Sequence, residues 1–544
     1  MTTESFIVQE LERFLKSKNI SDISISLQKP KEEKFGDHAT NIAMQLAGKL
    51  KANPKSIAEE ICNFIEIGNQ YIEKVEIAGP GFINFFAAHE NLYDQLAKII
   101  SKREQYGRSD MGTGKKAMVE FVSANPTGPL TIGHGRQAVL GDTIANLLEA
   151  VGYEVTREYY FNNAGRQMRM LGNSVYLRYL EISGESIDFP DDHYQGEYIK
   201  EIARSIYEKH GNSLKNDREN PIFKNEAERS IFEDIKKTVK RLGFGFDVFY
   251  NENSLYETGK IDQVIQDMDE KGYIAKRDGA TWFLTTKLGA EQDRVYIKST
   301  GEPTYRLPDT AYHIEKIKRG FDLMIDIFGA DHIATYPDVL AALEVLGYDI
   351  KKITVLIHQF VTLTENGEVV KMSTRKANFV TLDELMDEVG VDVTRYFFIM
   401  RQMNSHLNFD LTLAKTQSEE NPVFYIQYAH ARICSILSLA ETRDISIDQN
   451  ADLTKLKTNE ETNLIKHLID FPNLVESCAL TYAPHRLSTY LLDLATLFHK
   501  FYTECRVIGD DEDLTQSRMA LIEATRTIIA NGLKLLGISA PKQM

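Results

Sequence analysis

Residues 117–161 read AMVEFVSANPTGPLTIGHGRQAVLGDTIANLLEAVGYEVTREYYF. The first six residues, 117–122, form a short apolar run of strand length. The Pro- and Gly-rich stretch 123–129 breaks it. Thr131-Ile132-Gly133-His134-Gly135 then leads into a segment with Val139, Leu140, Ile144, Leu147 and Leu148 on one side, the spacing of a helix buried along one stripe. Val151-Gly152-Tyr153 closes that helix, and 154–161 returns as a second strand. Strand, glycine loop, helix, strand is one βαβ unit, so the sequence predicts an α/β fold around a parallel sheet.

The rest of the chain is read outward from this unit. The core is expected to resume near Tyr305 and run to about Gly390, with strands at 323–328 and 353–358 and a helix at 340–346 between them. The more charged stretch 180–300 reads as an insertion. Residues 1–105 read as a small α+β domain. Phe6, Ile7, Leu11, Phe14 and Leu15 repeat at helical spacing, and further helices are expected at 39–50 and 57–65. Strands should flank the turn Ala78-Gly79-Pro80-Gly81. The polar, Gly-rich stretch 107–116 suits a linker. Residues 391–544 read as helical, with Leu487, Leu491, Leu494, Phe498 and Phe501 along one stripe.

With 544 residues and 43% hydrophobic side chains, the chain can build several cores and is not mainly disordered. Four scattered cysteines, Cys62, Cys434, Cys478 and Cys505, give neither a disulfide scaffold nor metal-ligand spacing, and point to a reducing, cytoplasmic setting. No apolar run reaches membrane-spanning length, and the charged N-terminal residues do not form a secretory signal. The net charge of -16 argues against an undirected basic nucleic-acid binder. Residues 391–544 carry 15 basic and 19 acidic side chains, so any RNA contact there needs a locally sorted surface.

Three places carry chemistry. In the first, Gly133 and Gly135 flank His134 at a helix start, where a phosphate can approach free N–H groups and an imidazole can hydrogen-bond to it. A plain glycine turn with a histidine cap explains the same spacing equally well. The motif is neither GxxxxGK[ST] nor GxGxxG. The second is Lys371-Met372-Ser373-Thr374-Arg375-Lys376, whose cations and hydroxyls suit a transferring phosphoryl group, though a solvated basic loop has the same composition. It follows Asn366-Gly367, a tight-turn signal. The third is Glu120 with Asp309 and Tyr305. Paired carboxylates and a phenol match the fixed donor fork of a guanidinium, while each carboxylate alone could be a cap or a salt-bridge partner.

Taken in order, the motifs resemble those of class I arginyl-tRNA synthetases over essentially the whole chain. The resemblance runs from Phe35-Gly36-Asp37-His38 through the stretch from Glu120 to Asp142 and Asn163-Ala164-Gly165. It continues through Trp282 and Asp293-Arg294-Val295 to Thr304-Tyr305, Asp309-Thr310-Ala311-Tyr312-His313 and Gly329-Ala330-Asp331-His332. Lys371-Met372-Ser373-Thr374-Arg375 resembles the second signature loop, and Gln427-Tyr428-Ala429-His430-Ala431-Arg432 with Cys505-Arg506-Val507 the helical domain. Two positions depart from the pattern. Thr131 stands where a histidine often opens the first signature, and Thr374 where a lysine usually follows the serine, leaving Arg375 or Lys376 to supply that charge.

The resemblance implies a Rossmann-like catalytic core with insertions at 106–390, a tRNA-elbow-contacting N-terminal domain at 1–105 and an α-helical anticodon-binding domain at 391–544. It implies arginine–tRNA ligation through an arginyl-adenylate, with ATP, L-arginine and the tRNA for arginine as partners, no membrane, and a monomer. His134, Lys371 and Arg375 are implied in catalysis, and Ser123, Gly133, His134, Lys371 and Ser373 in binding ATP. Glu120, Asn125, Tyr305, Asp309 and His332 are implied in holding arginine, and Tyr428 and Arg432 in holding tRNA. Mg²⁺ is expected on the ATP phosphates, with no protein metal cluster. A nucleotidyl-transferring enzyme that does not use tRNA, or an inactive RNA-binding relative, are the alternatives.

Overall fold

A computed structural model of the chain describes residues 2–30, 32–163, 165–370, 380–448 and 450–544. Near the N-terminus, β1 (His38–Thr40), β2 (Ile72–Ala78) and β3 (Phe82–Ala87) form an antiparallel sheet in the order β1-β3-β2. Helices Thr3–Ser17, Ile42–Leu50 and Pro54–Phe64 bury Ile7, Leu11, Leu46 and Ile61 against it. The helix expected from residue 39 begins at Ile42 instead. Ala39 and Thr40 are ladder residues opposite Asn84 and Ile83, and a residue in a ladder cannot also be helical.

The central sheet contains β4 (Lys116–Glu120), β5 (Glu154–Phe161), β6 (Val248–Asn251), β10 (Leu323–Gly329) and β11 (Ile353–His358). Between β6 and β10 lies a small antiparallel sheet of β7 (Ile274–Arg277), β8 (Ala280–Phe283) and β9 (Arg294–Ile297). The central order is β11-β10-β4-β5-β6, with every pair parallel. The chain winds one way from β4 through β5 to β6, then crosses to β10 and β11 on the other side. The winding therefore reverses between β4 and β10, and open α/β sheets leave a crevice at the carboxyl ends of the strands at such a point. β6 falls inside the stretch read as an insertion. It has four residues and no alternation to reveal it, but it completes the sheet edge.

Alternation along β4 and β10 divides the core into two faces. Ala117, Val119, Ile325 and Ile327 pack with helix Ile132–Ala150, while Met118 and Met324 pack with helix Arg306–Lys318. Glu120 and Asp326, two positions beyond those methionines, therefore share the second face. They are also register partners, and Glu120 pairs onward with Glu158 in β5. A row of three carboxylates thus crosses the sheet beside the crevice.

Two buried arginines lock helix Ile132–Ala150 in place. Arg136 donates to the carbonyls of Gln359, Gln402 and Ser405. Arg395 donates to Asp142 Oδ2 at 2.6 Å and to the carbonyls of Leu242 and Leu536. Beyond the sheet, β12 (Val361–Glu365) and β13 (Glu368–Val369) form a hairpin, and β14 (Leu407–Asp410) adds alongside β12. Asn366 and Gly367 both have positive φ, as the tight turn between β12 and β13 requires. The chain then continues as helices, among them Pro422–Glu441, Asn459–Ile469, Pro484–Glu504 and Glu512–Leu535.

Candidate active site

A cavity of about 610 Å³ opens at the carboxyl ends of β4, β5, β6 and β10, in the crevice the topology predicts. Glu120, Ser123, Asn125, Gly133, His134, Tyr305, Asp309 and His332 all line it. The structure therefore brings together every described residue implied for ATP or arginine. Lys371, Ser373 and Arg375, with Lys376, lie outside the described residues.

The wall after β4 is strained. Val122 and Ser123 have φ of 68° and 38°, and Ser123 N–H donates back to the Phe121 carbonyl at 3.0 Å, closing a three-residue γ-turn. A β-branched residue in that region costs roughly 1–3 kcal/mol, which the surrounding packing must offset. The turn aims Ser123 Oγ at Glu120 Oε1, 2.9 Å away, while the same hydroxyl accepts from the Tyr160 N–H. Tyr159 and Tyr198 donate to the carbonyls of Ala124 and Thr127 and hold the loop that follows.

Helix Ile132–Ala150 begins at the cavity. The Thr131 N–H points at His134 Nδ1, 3.2 Å away. An N–H can only donate, so Nδ1 accepts and the neutral ring carries its proton on Nε2. Burial pushes this imidazole down to about 4, against the pull of Asp331, so the ring is neutral at physiological pH. His134 thus offers one N–H and no charge. A Cβ placed on Gly133 would meet only Thr131 Oγ1 at 3.8 Å, so the space beside it is open to a ligand.

The opposite end of the cavity is acidic. Asp309 stands in the first turn of helix Arg306–Lys318, where the helix dipole favours a carboxylate. Its carboxylate has no hydrogen-bond or ion-pair partner among the described residues. Burial raises its pKa, while His313, Lys316 and His332 pull it back. Glu252, just past β6, also lines the cavity and is 5% exposed. Burial pushes its carboxyl up to about 7, with repulsion from Asp309 adding to the shift. Tyr160 donates to Glu252 at 2.6 Å. Glu120 differs from both. Its Oε2 is taken by the ammonium of Lys316, a fully buried side chain that also reaches Asp326 Oδ1 at 2.5 Å. Glu120 keeps its place in the cavity wall, but its charge is already matched.

The sequence did not single out Glu252, Lys316, His313 or Asp326. Glu252 follows a strand end, and recognising β6 as a sheet strand would have put it at the crevice. His313 falls in the motif Asp309-Thr310-Ala311-Tyr312-His313 but carries no assigned role there. Nothing in the sequence marks Lys316 or Asp326, whose contacts join residues 10 to 196 positions apart.

Tyr428 and Arg432 lie elsewhere, on helix Pro422–Glu441. Tyr428 stacks on His499 with ring centroids 5.7 Å apart. Arg432 donates to the Tyr502 hydroxyl at 2.7 Å and sits 4.9 Å from that ring's centroid. Their neighbours Gln427 and His430 turn inward and bond Ser539 and Pro541 near the C-terminus. The four-residue spacing of Tyr428 and Arg432 therefore marks the outer face of this helix.

Three family models match the chain in succession. One for an arginyl tRNA synthetase N-terminal domain matches residues 2–87, one for the catalytic domain of class I (R) tRNA synthetases residues 95–405, and one for the DALR anticodon binding domain residues 426–544. The arginine–tRNA ligase of Desulfotalea psychrophila is 54% identical over 95% of this chain and 94% of its own. That of Salinibacter ruber is 50% identical over 96% of each. The arginyl-tRNA synthetase structure from Thermus thermophilus shares the fold, with a TM-score of 0.78 over 99% of both chains at 22% identity. With about half its residues identical to such enzymes along nearly its full length, the chain belongs to the class I arginyl-tRNA synthetases, which join L-arginine to tRNA by way of ATP and an arginyl-adenylate.

Proposed function

We propose that the crevice between β4 and β10 seats the guanidinium of arginine at its acidic end and the phosphates of ATP at the Gly133–His134 end. The unpartnered carboxylate of Asp309, beside Glu252 and in one cavity with His134, carries this reading. A guanidinium offers a planar fork of N–H groups, and two carboxylates can accept from its different edges. Glu252 takes the share of charge recognition first expected of Glu120. Glu120, held by Ser123 and Lys316, shapes the arginine end together with Asn125, Tyr305 and His332.

In the first step the arginine carboxylate attacks the α-phosphorus of ATP, and the bond to pyrophosphate breaks. His134 donates its Nε2–H to a phosphate oxygen, and Gly133 lets the chain of phosphates lie close to the backbone, with Ser123 nearby. Lys371, Ser373 and Arg375 follow the β12/β13 hairpin in sequence and meet the departing phosphates. Mg²⁺ arrives on the ATP phosphate oxygens. Among the described residues no three His, Cys, Asp or Glu side chains are grouped to hold a metal ion. In the second step a ribose hydroxyl of the terminal tRNA adenosine attacks the activated carbonyl and releases AMP. Residues 1–105 meet the tRNA elbow, residues 391–544 meet the anticodon through Tyr428 and Arg432, and the enzyme works in the cytoplasm as a monomer.

Arginine-dependent ATP–pyrophosphate exchange, run with and without the tRNA for arginine, tests the reading. Exchange should require arginine, should be stimulated by that tRNA, and should collapse in Asp309→Asn at limiting arginine. Equal efficiencies with lysine and arginine would reject the acidic pocket as the specificity site.

A further inference from the structure

His313 lies one turn beyond Asp309 on helix Arg306–Lys318 and is 4% exposed. Both of its ring nitrogens are committed. Nδ1 lies 2.8 Å from the Asp309 carbonyl, and Nε2 lies 3.0 Å from Asp326 Oδ2. A carbonyl oxygen can only accept. Asp326 can only accept as well while it is ionised, because its other oxygen faces the Lys316 ammonium. Two acceptors on two ring nitrogens need two N–H donors, and an imidazole has two only as the cation.

We propose that His313 is held as an imidazolium, and that this fixed cation is a positioning residue tying the Asp309 turn to β10 and keeping the Asp309 carboxylate charged for arginine. The proposal rests on the assignment of Asp309 to the arginine pocket.

The charges around the ring support it. Asp326 faces it from β10, Glu120 from β4, and Asp309, Tyr312 and Lys316 from its own helix. Burial and Lys316 oppose the cation, yet Asp326 and Asp309 outweigh them and raise the pKa of His313 above its ordinary value. Burial would likewise raise Asp326, but Lys316 and His313 hold it well below the usual carboxylate range. Glu120 and Asp326 are thus matched by Lys316 and His313. Asp309 remains as the carboxylate whose counter-charge the substrate brings.

The direct test is the protonation state of the ring. In enzyme carrying ¹⁵N-labelled histidine, the signals lost in His313→Gln identify this residue among the 13 histidines. They should show both nitrogens still protonated past the ordinary histidine value of about 6.5. In Asp326→Asn the doubly protonated signature should be lost at a lower pH than in the wild type. A wild-type ring that turns to a neutral single tautomer at or below about pH 6.5 overturns the proposal. The functional test is a split between substrates. His313→Gln and Asp326→Asn should each raise KM for arginine about tenfold, within the range of coupling between residues of one hydrogen-bond and ion-pair network, and leave KM for ATP unchanged. Equal rises in both KM values mark a merely structural role and overturn the positioning claim. Asp309→Asn separates the two failures. If it leaves KM for arginine unchanged, the arginine pocket itself is misplaced and the proposal falls with it. If it raises that KM while His313→Gln does not, only the role of His313 falls.

Discussion

Glu252 is a carboxyl lifted by burial to about 7, in the pocket proposed to seat a guanidinium. Only its ionised form pairs with a guanidinium. Arginine capture by the free enzyme should therefore weaken as pH falls through that value, because protonation removes the charge. The pH profile of kcat/KM for arginine should show an acid limb near there, and Glu252→Gln should abolish the limb. Losing a hydrogen bond to a charged partner costs about 1.5–3 kcal/mol, so KM for arginine should rise roughly tenfold to a hundredfold. An unchanged limb in the variant would assign the titration to another group. Lys371 is the residue proposed for the other end of the reaction, at the departing phosphates. Lys371→Ala should slow single-turnover activation by about 2–4 kcal/mol of transition-state stabilisation while the protein stays folded, since its charge matters most on the departing phosphates. A folded variant with the wild-type rate would remove Lys371 from the chemistry.

Among the elements, helix Ile132–Ala150 depends on close approach. A Cβ on Gly141 would run into the base of the buried Phe121 side chain, at the exit from β4. Alanine gains about 1 kcal/mol of helix propensity over glycine. Overpacking a core costs typically about 1–3 kcal/mol, so the clash should win. Gly141→Ala should lower the midpoint of denaturant unfolding, and it should raise KM for ATP because the helix carries His134. A variant more stable than the wild type would show that the helix slides at no cost. This helix and its flanking strands were legible in the sequence. Their apolar spacing is long and regular, and the Pro- and Gly-rich loop marks where the strand must end. β6 was not, since four residues with no alternation look like any loop. The buried ion pairs were not legible either. Lys316 reads from sequence as one more cation near a helix end, and only the fold brings Glu120 to it. The loop from Ser123 to His134 was placed correctly beside the carboxyl end of β4, yet the share of the charge carried by Glu120 depended on a partner 196 residues away.

Across the whole molecule, the N-terminal region leans on the helices near the C-terminus. Lys29 pairs with Asp470 at 2.7 Å and Lys466 with Asp37 at 2.6 Å, and Tyr93 donates to the Leu456 carbonyl. Helix His89–Lys102 packs against Asn459–Ile469 and Glu512–Leu535. The two regions proposed to meet tRNA thus contact each other directly, and the C-terminal helices also pack on helix Ile132–Ala150 of the catalytic core. Its helical part is acidic overall, so bulk attraction cannot hold an RNA there. Shape and stacking must supply the selectivity. Tyr428 is 38% exposed and stacked on His499, with Arg432 braced over Tyr502 nearby, which leaves an aromatic surface for an unpaired base. Stacking one base on such a ring is worth about 1–3 kcal/mol. Tyr428→Ala should therefore raise KM for tRNA about tenfold or more, whereas Tyr428→Phe should retain most of the affinity because the ring, not the hydroxyl, does the stacking. A series of anticodon base substitutions completes the measurement. If Tyr428 reads a base, the penalty for changing that base should shrink in Tyr428→Ala, because the lost contact can no longer discriminate. Equal penalties in variant and wild type would leave Tyr428 as general docking surface, and an unchanged KM for tRNA would remove it from the interface.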